Sequence, residues 1–249
     1  EVLPSQGSAW SGLGVGFTKV DGAVRPDLAL RARAELEGLG AAGGLSGFSS
    51  STCNPGSRHL WLRFGSEQEQ AQMPPALLEL ADSLAGLPGA LEAAGSLLSE
   101  SEPGAVTVPR LRLFPGLMAA TYGPGSYYVP HLDKYSGGSS GFENSRLLTL
   151  ICYLNDDWQP GDGGELRLFA SKDAEGKGSP GSRIPELLGI SADHSESTSS
   201  MAHDAERNVD IPPLMGRVVM FRSRDVWHGI QELSYARWAV TLWLLADTT

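Results

Sequence analysis

The sequence predicts a mainly β protein: a double-stranded β-helix (jelly roll) core with supporting N-terminal α-helices. Three observations predict it. Residues 23–100 carry helical periodicity; from Val106 onward the pattern turns to short runs rich in β-branched and aromatic residues, separated by Gly, Pro, Asn and Asp. Eight such runs follow the helical part, and that number suits two packed sheets with helices laid on one of them. At 249 residues an all-β core of this kind commonly folds as one domain. The expected organisation is one domain over 1–249, with helical support at about 23–100, the jelly-roll core at about 106–249 and an inserted flexible loop at about 171–208.

After a Gly/Ser-rich start, GLGVGFTKVDG (12–22) reads as a short strand and turn. Pro26 then opens a helix whose apolar residues are Leu28, Leu30, Leu36 and Leu39 with alanines between, and the glycines from Gly40 end it. Residues 43–57 are a loop by composition, and RHLWLRF (58–64) reads as a strand. A second helix starts at Pro74-Pro75, runs through ALLELADSLAGL, breaks at Pro88-Gly89 and resumes as ALEAAGSLL. The strands expected beyond it are 107–113, 117–122, 127–133, 146–155, 164–170, 217–223, 227–233 and 237–245. Between two of them lies 171–208, polar and Ser/Gly-rich, which reads as a surface insertion.

Composition narrows the function classes. The net charge of −10 disfavours a nucleic-acid surface, which needs clustered Lys and Arg. No stretch approaches the roughly 20 consecutive apolar residues of a membrane span, so a soluble protein is expected. Cys53 and Cys152 form neither a disulfide framework nor a CxxC pair, which fits a reducing compartment. No basic segment followed by an apolar core stands at the N-terminus. A cytoplasmic or nuclear location is the expectation, with room left by the start at Glu1 for a removed targeting segment.

Five histidines are candidates for chemistry. His194 and His203 sit in the insertion without a partner at metal-ligand spacing and read as surface residues. His59 borders a strand beside Trp61, which suits a structural or substrate-facing place. His131 and Asp133 differ, because residues i and i+2 of an extended segment share a face and can reach one ion. Alone, an H-x-D at a strand end is a weak signal. His228 stands at the start of another expected strand, and jelly-roll strands can be neighbours however far apart in sequence. Two imidazoles and one carboxylate leave coordination positions open, as in non-haem Fe(II) oxygenases, whereas structural zinc is closed by four ligands.

Strand alternation supplies the rest. Arg237, Ala239, Thr241 and Trp243 share one face, with Trp238, Val240, Leu242 and Leu244 on the other. The guanidinium and hydroxyl on one face make a carboxylate receptor. In RLLTLICYLNDDW (146–158), Thr149, Ile151 and Tyr153 share a face and Tyr153 could hydrogen-bond a bound carboxylate; Cys152 falls on the other face and reads as a core thiol.

Together TYGPGSYYVPHLD, RLLTLICYLNDDW, GGELRLF, VDIPPLMGRVVMF and WHGIQELSYARWAVTLW, in that order, resemble the Fe(II)/2-oxoglutarate-dependent dioxygenases, and within them the prolyl hydroxylases of the hypoxia-inducible-factor (EGL-nine) type. The resemblance covers roughly 12–249. It implies His131, Asp133 and His228 as iron ligands and as the catalytic centre. It also implies Arg237 as the partner of the distal 2-oxoglutarate carboxylate, supported by Tyr153 with Thr241 close by, and Tyr122 near the iron-proximal end of the co-substrate. Fe(II), 2-oxoglutarate and dioxygen, with ascorbate as a stimulant, are the cofactors it implies. Prolyl 4-hydroxylation of a protein, with succinate and CO2 released, is the activity, and oxygen sensing is a role of that branch. The partner would be a hypoxia-inducible-factor-like transcription factor, an Skp-type ubiquitin-ligase adaptor or elongation factor Tu, according to organism. Iron ligation does not encode substrate choice, so another residue or a non-protein substrate is the alternative, as is a jelly-roll module that binds a peptide without turnover.

Overall fold

A computed structural model describes residues 17–47, 56–92, 110–133, 146–169, 208–224 and 226–246. Cys53, His194, His203 and nearly all of the expected insertion lie outside them. The described elements are β1 (Phe17–Val20), α1 (Pro26–Ala41), β2 (Ser46–Gly47), β3 (Ser57–Arg63), α2 (Glu67–Gln72), α3 (Pro75–Ser83), β4 (Leu111–Leu113), β5 (Gly116–Tyr122), β6 (Tyr128–His131), β7 (Arg146–Tyr153), β8 (Leu166–Leu168), β9 (Val209–Ile211), β10 (Val218–Arg222), β11 (His228–Ile230) and β12 (Arg237–Ala246).

The strands form two antiparallel sheets. The larger runs β1-β10-β7-β12-β5-β3-β2, with β4 paired to the far end of β12; the smaller runs β6-β11-β8-β9. Side-chain alternation sorts β7 and β12 as expected. Leu150, Cys152, Val240 and Leu242 face α1 and α3, while Ile151, Tyr153, Phe221 and Ala239 meet Leu166 and Ile211 of the smaller sheet. This is the double-stranded β-helix with helices on one sheet. Burial pushes the Cys152 thiol up to about 12, so it is a neutral core group.

The helix α1 buries Leu28, Ala29, Ala32 and Leu36, residues that recur at one-turn spacing. Leu30, another of the apolar residues of this helix, is exposed: two residues beyond Leu28 it is rotated by about 200° to the opposite side. Fully covering a leucine such as Leu36 contributes about 2 kcal/mol. The α3 helix begins after Pro74, which has no side chain to cap it. Glu35 of α1 does so instead, accepting from the Ala76 and Leu77 amides at 2.9 and 3.0 Å. A carboxylate there satisfies orphan donors and meets the positive end of the helix dipole.

Several elements differ from the sequence expectation. Strands expected at 127–133, 164–170 and 227–233 shorten to β6, β8 and β11. The added β2 and β9 are short edge partners made by pairing with β3 and β8, and neither carries a pattern of its own. The α2 helix is a further element absent from the sequence expectation, although Ser66 and Glu69 form a reciprocal capping box, the S-x-x-E signature of a helix start that could have located it. Helix α3 stops at Ser83, and the chain is helical again over 87–92.

Polar ties set the corners. Buried Asn155, just after β7, accepts from the Trp238 amide at 2.7 Å and donates to the Pro213 carbonyl at 2.9 Å. Gly163 has φ +75°, and a Cβ there would lie 2.0 Å from the Glu232 carbonyl; only glycine permits this approach, which leads the chain into β8. Among the described residues no helix is long and apolar enough to cross a membrane.

Replacing Glu35 by alanine should lower unfolding free energy by about 1–2 kcal/mol, read as a shift in urea midpoint with unchanged slope. An unshifted midpoint would contradict the capping role.

Candidate functional site

His131 ends β6 and His228 begins β11, and the register of the smaller sheet sets them directly opposite. Their ring centroids are 4.2 Å apart. Asp133 follows two residues after His131, so extended geometry keeps it on the same side. Its Oδ1 lies 3.5 Å from His131 Nε2 and 3.8 Å from His228 Nε2. One ligand atom from each of the three falls within 4.8 Å of the others, a group that could hold a metal ion.

The protonation states suit ligation. His131 Nδ1 lies 3.0 Å from the Val129 carbonyl, and His228 Nδ1 3.1 Å from that of Val226. A carbonyl only accepts, so each Nδ1 carries the proton and each Nε2 presents a lone pair to the cluster. Burial pushes His228 down to about 4, with the His131 ring adding to the effect. Burial alone would raise the Asp133 carboxyl, but the imidazoles of His131 and His228 beside it and the hydrogen bond from Thr149 outweigh it and hold it well below the usual range. A neutral imidazole and an ionised carboxylate are the forms a metal binds.

Two side chains hold the other carboxylate oxygen. Thr149 of β7 donates to Asp133 Oδ2 at 2.7 Å, and the Trp243 indole N–H of β12 donates to it at 3.1 Å. Arg146 donates to the Asp133 carbonyl at 3.2 Å, and its guanidinium lies 4.2 Å over the Trp243 ring. These roles were not read from the sequence. Alternation had put Thr149 and Trp243 on the inward faces, but their partner comes from another strand, which no local pattern reveals.

A cavity of about 340 Å³ opens beside the triad. Its lining includes Tyr122, Arg237, Thr241 and Trp243. Deep in the larger sheet, Arg237 lies between two phenol rings, 5.3 Å over that of Tyr122 and 5.0 Å over that of Tyr153. Arg237 Nε and the Tyr153 hydroxyl are buried with no hydrogen-bond partner. Burial holds the Tyr153 phenol up against the pull of the Arg237 charge, so it remains a neutral donor. Leaving such donors unmet is costly; Arg237 borders the cavity, Tyr153 is not among its lining residues, and a carboxylate beside Arg237 would meet the open guanidinium donor. The residues therefore fit a dicarboxylate co-substrate with one end at the triad and the other at Arg237.

Trp61 of β3 stands opposite Met118 on the cavity side. Its ring stacks on Trp243 at 5.2 Å and 19°, while 40% of the residue stays exposed. His59 is opposite Ala120 on the same strand, outside the ligand group. Leu132 packs on Trp227 and also borders the cavity.

The family described as the 2OG-Fe(II) oxygenase superfamily matches residues 117–245, more than half of the chain. Among solved structures, a Pseudomonas putida prolyl-4-hydroxylase is similar with TM-score 0.64 at 21% identity, over 98% of this chain and 100% of that one. A Trichoplax adhaerens prolyl hydroxylase, solved with a peptide fragment of the hypoxia inducible factor oxygen degradation domain, gives 0.61 at 18%, over 97% and 89%. HygX from Streptomyces hygroscopicus, solved with nickel and 2-oxoglutarate, gives 0.56 at 18%, over 96% and 87%. At these identities the likeness is one of fold. The matched span, however, contains both histidines, the aspartate and the buried arginine on the strands just described, and the chain belongs to the 2OG-Fe(II) oxygenase superfamily.

Proposed function

We propose that the protein is a prolyl 4-hydroxylase of a protein substrate, dependent on Fe(II) and 2-oxoglutarate. In this reading His131 Nε2, His228 Nε2 and Asp133 Oδ1 hold the iron. Arg237 and Tyr153 receive the distal carboxylate of 2-oxoglutarate, with Thr241 beside it and Tyr122 toward the triad. Bound there, iron with 2-oxoglutarate supplies the redox chemistry that divides dioxygen between succinate and the hydroxylated product, with CO2 released.

The chain's own residues bind, orient and exclude water. Arg237 offers a permanent charge in a buried site, and the neutral Tyr153 adds a directed O–H. The observation that carries the prolyl reading is the stacked Trp61–Trp243 wall beside the triad. A pyrrolidine ring packs on aromatic faces, as Pro-rich peptides do in aromatic-lined grooves, and the exposed edge of Trp61 leaves access for a chain longer than one residue. The hypoxia-inducible-factor peptide held by a protein of similar fold supports a protein as the kind of substrate.

Adding Mn²⁺ to the metal-free protein should raise its thermal midpoint, by an amount equivalent to about 2.7 kcal/mol at a hundred times the Kd. EDTA should reverse the rise, and Asp133→Ala should not show it; a wild-type response from Asp133→Ala would refute the ligand set. Arg237→Ala should raise the KM for 2-oxoglutarate about tenfold or more, the cost of a lost hydrogen-bonded charge, with far less effect on the KM of the prime substrate. An equal rise in both would overturn its assignment. Incubating lysate proteins with enzyme, iron, 2-oxoglutarate and ascorbate should yield a prolyl residue heavier by one oxygen, detected by mass spectrometry. Oxidation confined to another residue or to a small molecule would remove the prolyl reading while leaving the oxygenase.

A further inference from the structure

Asp133 has two carboxylate oxygens, and the protein treats them differently. Oδ2 accepts from both Thr149 and the Trp243 indole, one donor for each of its two lone pairs. Oδ1 is the oxygen nearest both imidazoles. The Thr149 hydroxyl has a single hydrogen, and an ionised carboxylate can only accept, so that hydrogen points at Asp133. Thr149 Oγ1 is also 2.9 Å from the hydroxyl of Ser223, and in this contact Ser223 must be the donor. Both residues are fully buried. The Ser223 amide donates to the Leu147 carbonyl at 3.0 Å, which continues the β10–β7 ladder one step beyond Arg222 and seats the serine beside Thr149. Ser223 thus orients the threonine, and the threonine orients the aspartate.

Resting on the metal-ligand reading above, we propose that Ser223, acting through Thr149, is a positioning residue that holds Asp133 as a single-oxygen ligand. The relay from the threonine side and Trp243 from the other close Oδ2 off. A carboxylate free to swing would offer both oxygens to the ion and take a position that the co-substrate and dioxygen need. Two hydroxyls buried between strands cost free energy unless each is paired. Here the pairing runs in one direction and ends on the charged oxygen, where a hydrogen bond is strongest.

Co²⁺ binding to the metal-free protein tests this without turnover, by calorimetric affinity and the visible absorption spectrum of the bound ion. Thr149→Val should weaken binding about tenfold or more, in the range for lost partners of metal ligands, and change the spectrum, because the ligand geometry changes. Thr149→Ser should restore both affinity and spectrum. Ser223→Ala should weaken binding about threefold, as for one net hydrogen bond, and shift the spectrum in the same direction as Thr149→Val. Thermal unfolding of the metal-free variants checks folding, and Ser223→Ala carries the test if Thr149→Val does not fold. Wild-type affinity and spectrum in Ser223→Ala, with Asp133→Ala unable to bind, would overturn the relay and keep the ligand set. Wild-type Co²⁺ binding by Asp133→Ala would instead overturn the metal reading beneath it.

Discussion

Where β6 pairs with β11, His131 stands across the ladder from His228, and that pairing brings together groups nearly a hundred residues apart in the chain. The smaller sheet can present them only because it is held face to face with the larger one. Leu166 and Ile211 on one side pack against Ile151, Tyr153 and Phe221 on the other. Loss of that packing would separate the histidines from the oxygen-holding donors Thr149 and Trp243, which belong to the larger sheet. The triad is therefore a property of the interface between sheets.

The larger sheet has a double duty that its alternation resolves. Outward residues such as Leu150, Val240 and Leu242 are covered by α1 and α3, which stiffens β7 and β12. Inward residues of the same strands are Tyr153, Arg237, Thr241 and Trp243. Arg33 of α1, bonded to Asp156 and Asp157 just past β7, ties the helical layer to the strands it backs, and Glu35 of α1 ties α1 to the start of α3. The buried Arg237 and Tyr153 retain unmet donors, and a rigid floor keeps such donors from collapsing onto protein acceptors.

Legibility followed the range of the interaction responsible. Alternation in 146–155 and 237–245 sorted each side chain to the correct face, since it depends only on backbone period. The capping box at Ser66 and Glu69 is equally local, a signal for α2 that the sequence expectation omitted. The strands at 127–133, 164–170 and 227–233 are shorter in the structure than their residue pattern predicts, because a strand stops where its neighbour stops hydrogen-bonding it. The leucines of α1 do not by themselves mark its buried face, because alanines carry half of the buried stripe and Leu30 is exposed. Thr149 and Trp243 were visible as inward residues and silent as donors to Asp133, because that carboxylate reaches them from a different sheet.

By itself the sequence determined the mainly β class, the supporting helices, the H-x-D pair and the inward set that includes Arg237 and Tyr153, all consequences of residue type and short-range periodicity. The tertiary structure decided that His228 faces His131, that one oxygen of Asp133 is closed off while the other is open, and that Trp61 from β3 walls the cavity against Trp243. These are contacts between strands distant in the chain, and only the pairing register and sheet packing assign which distant residues meet.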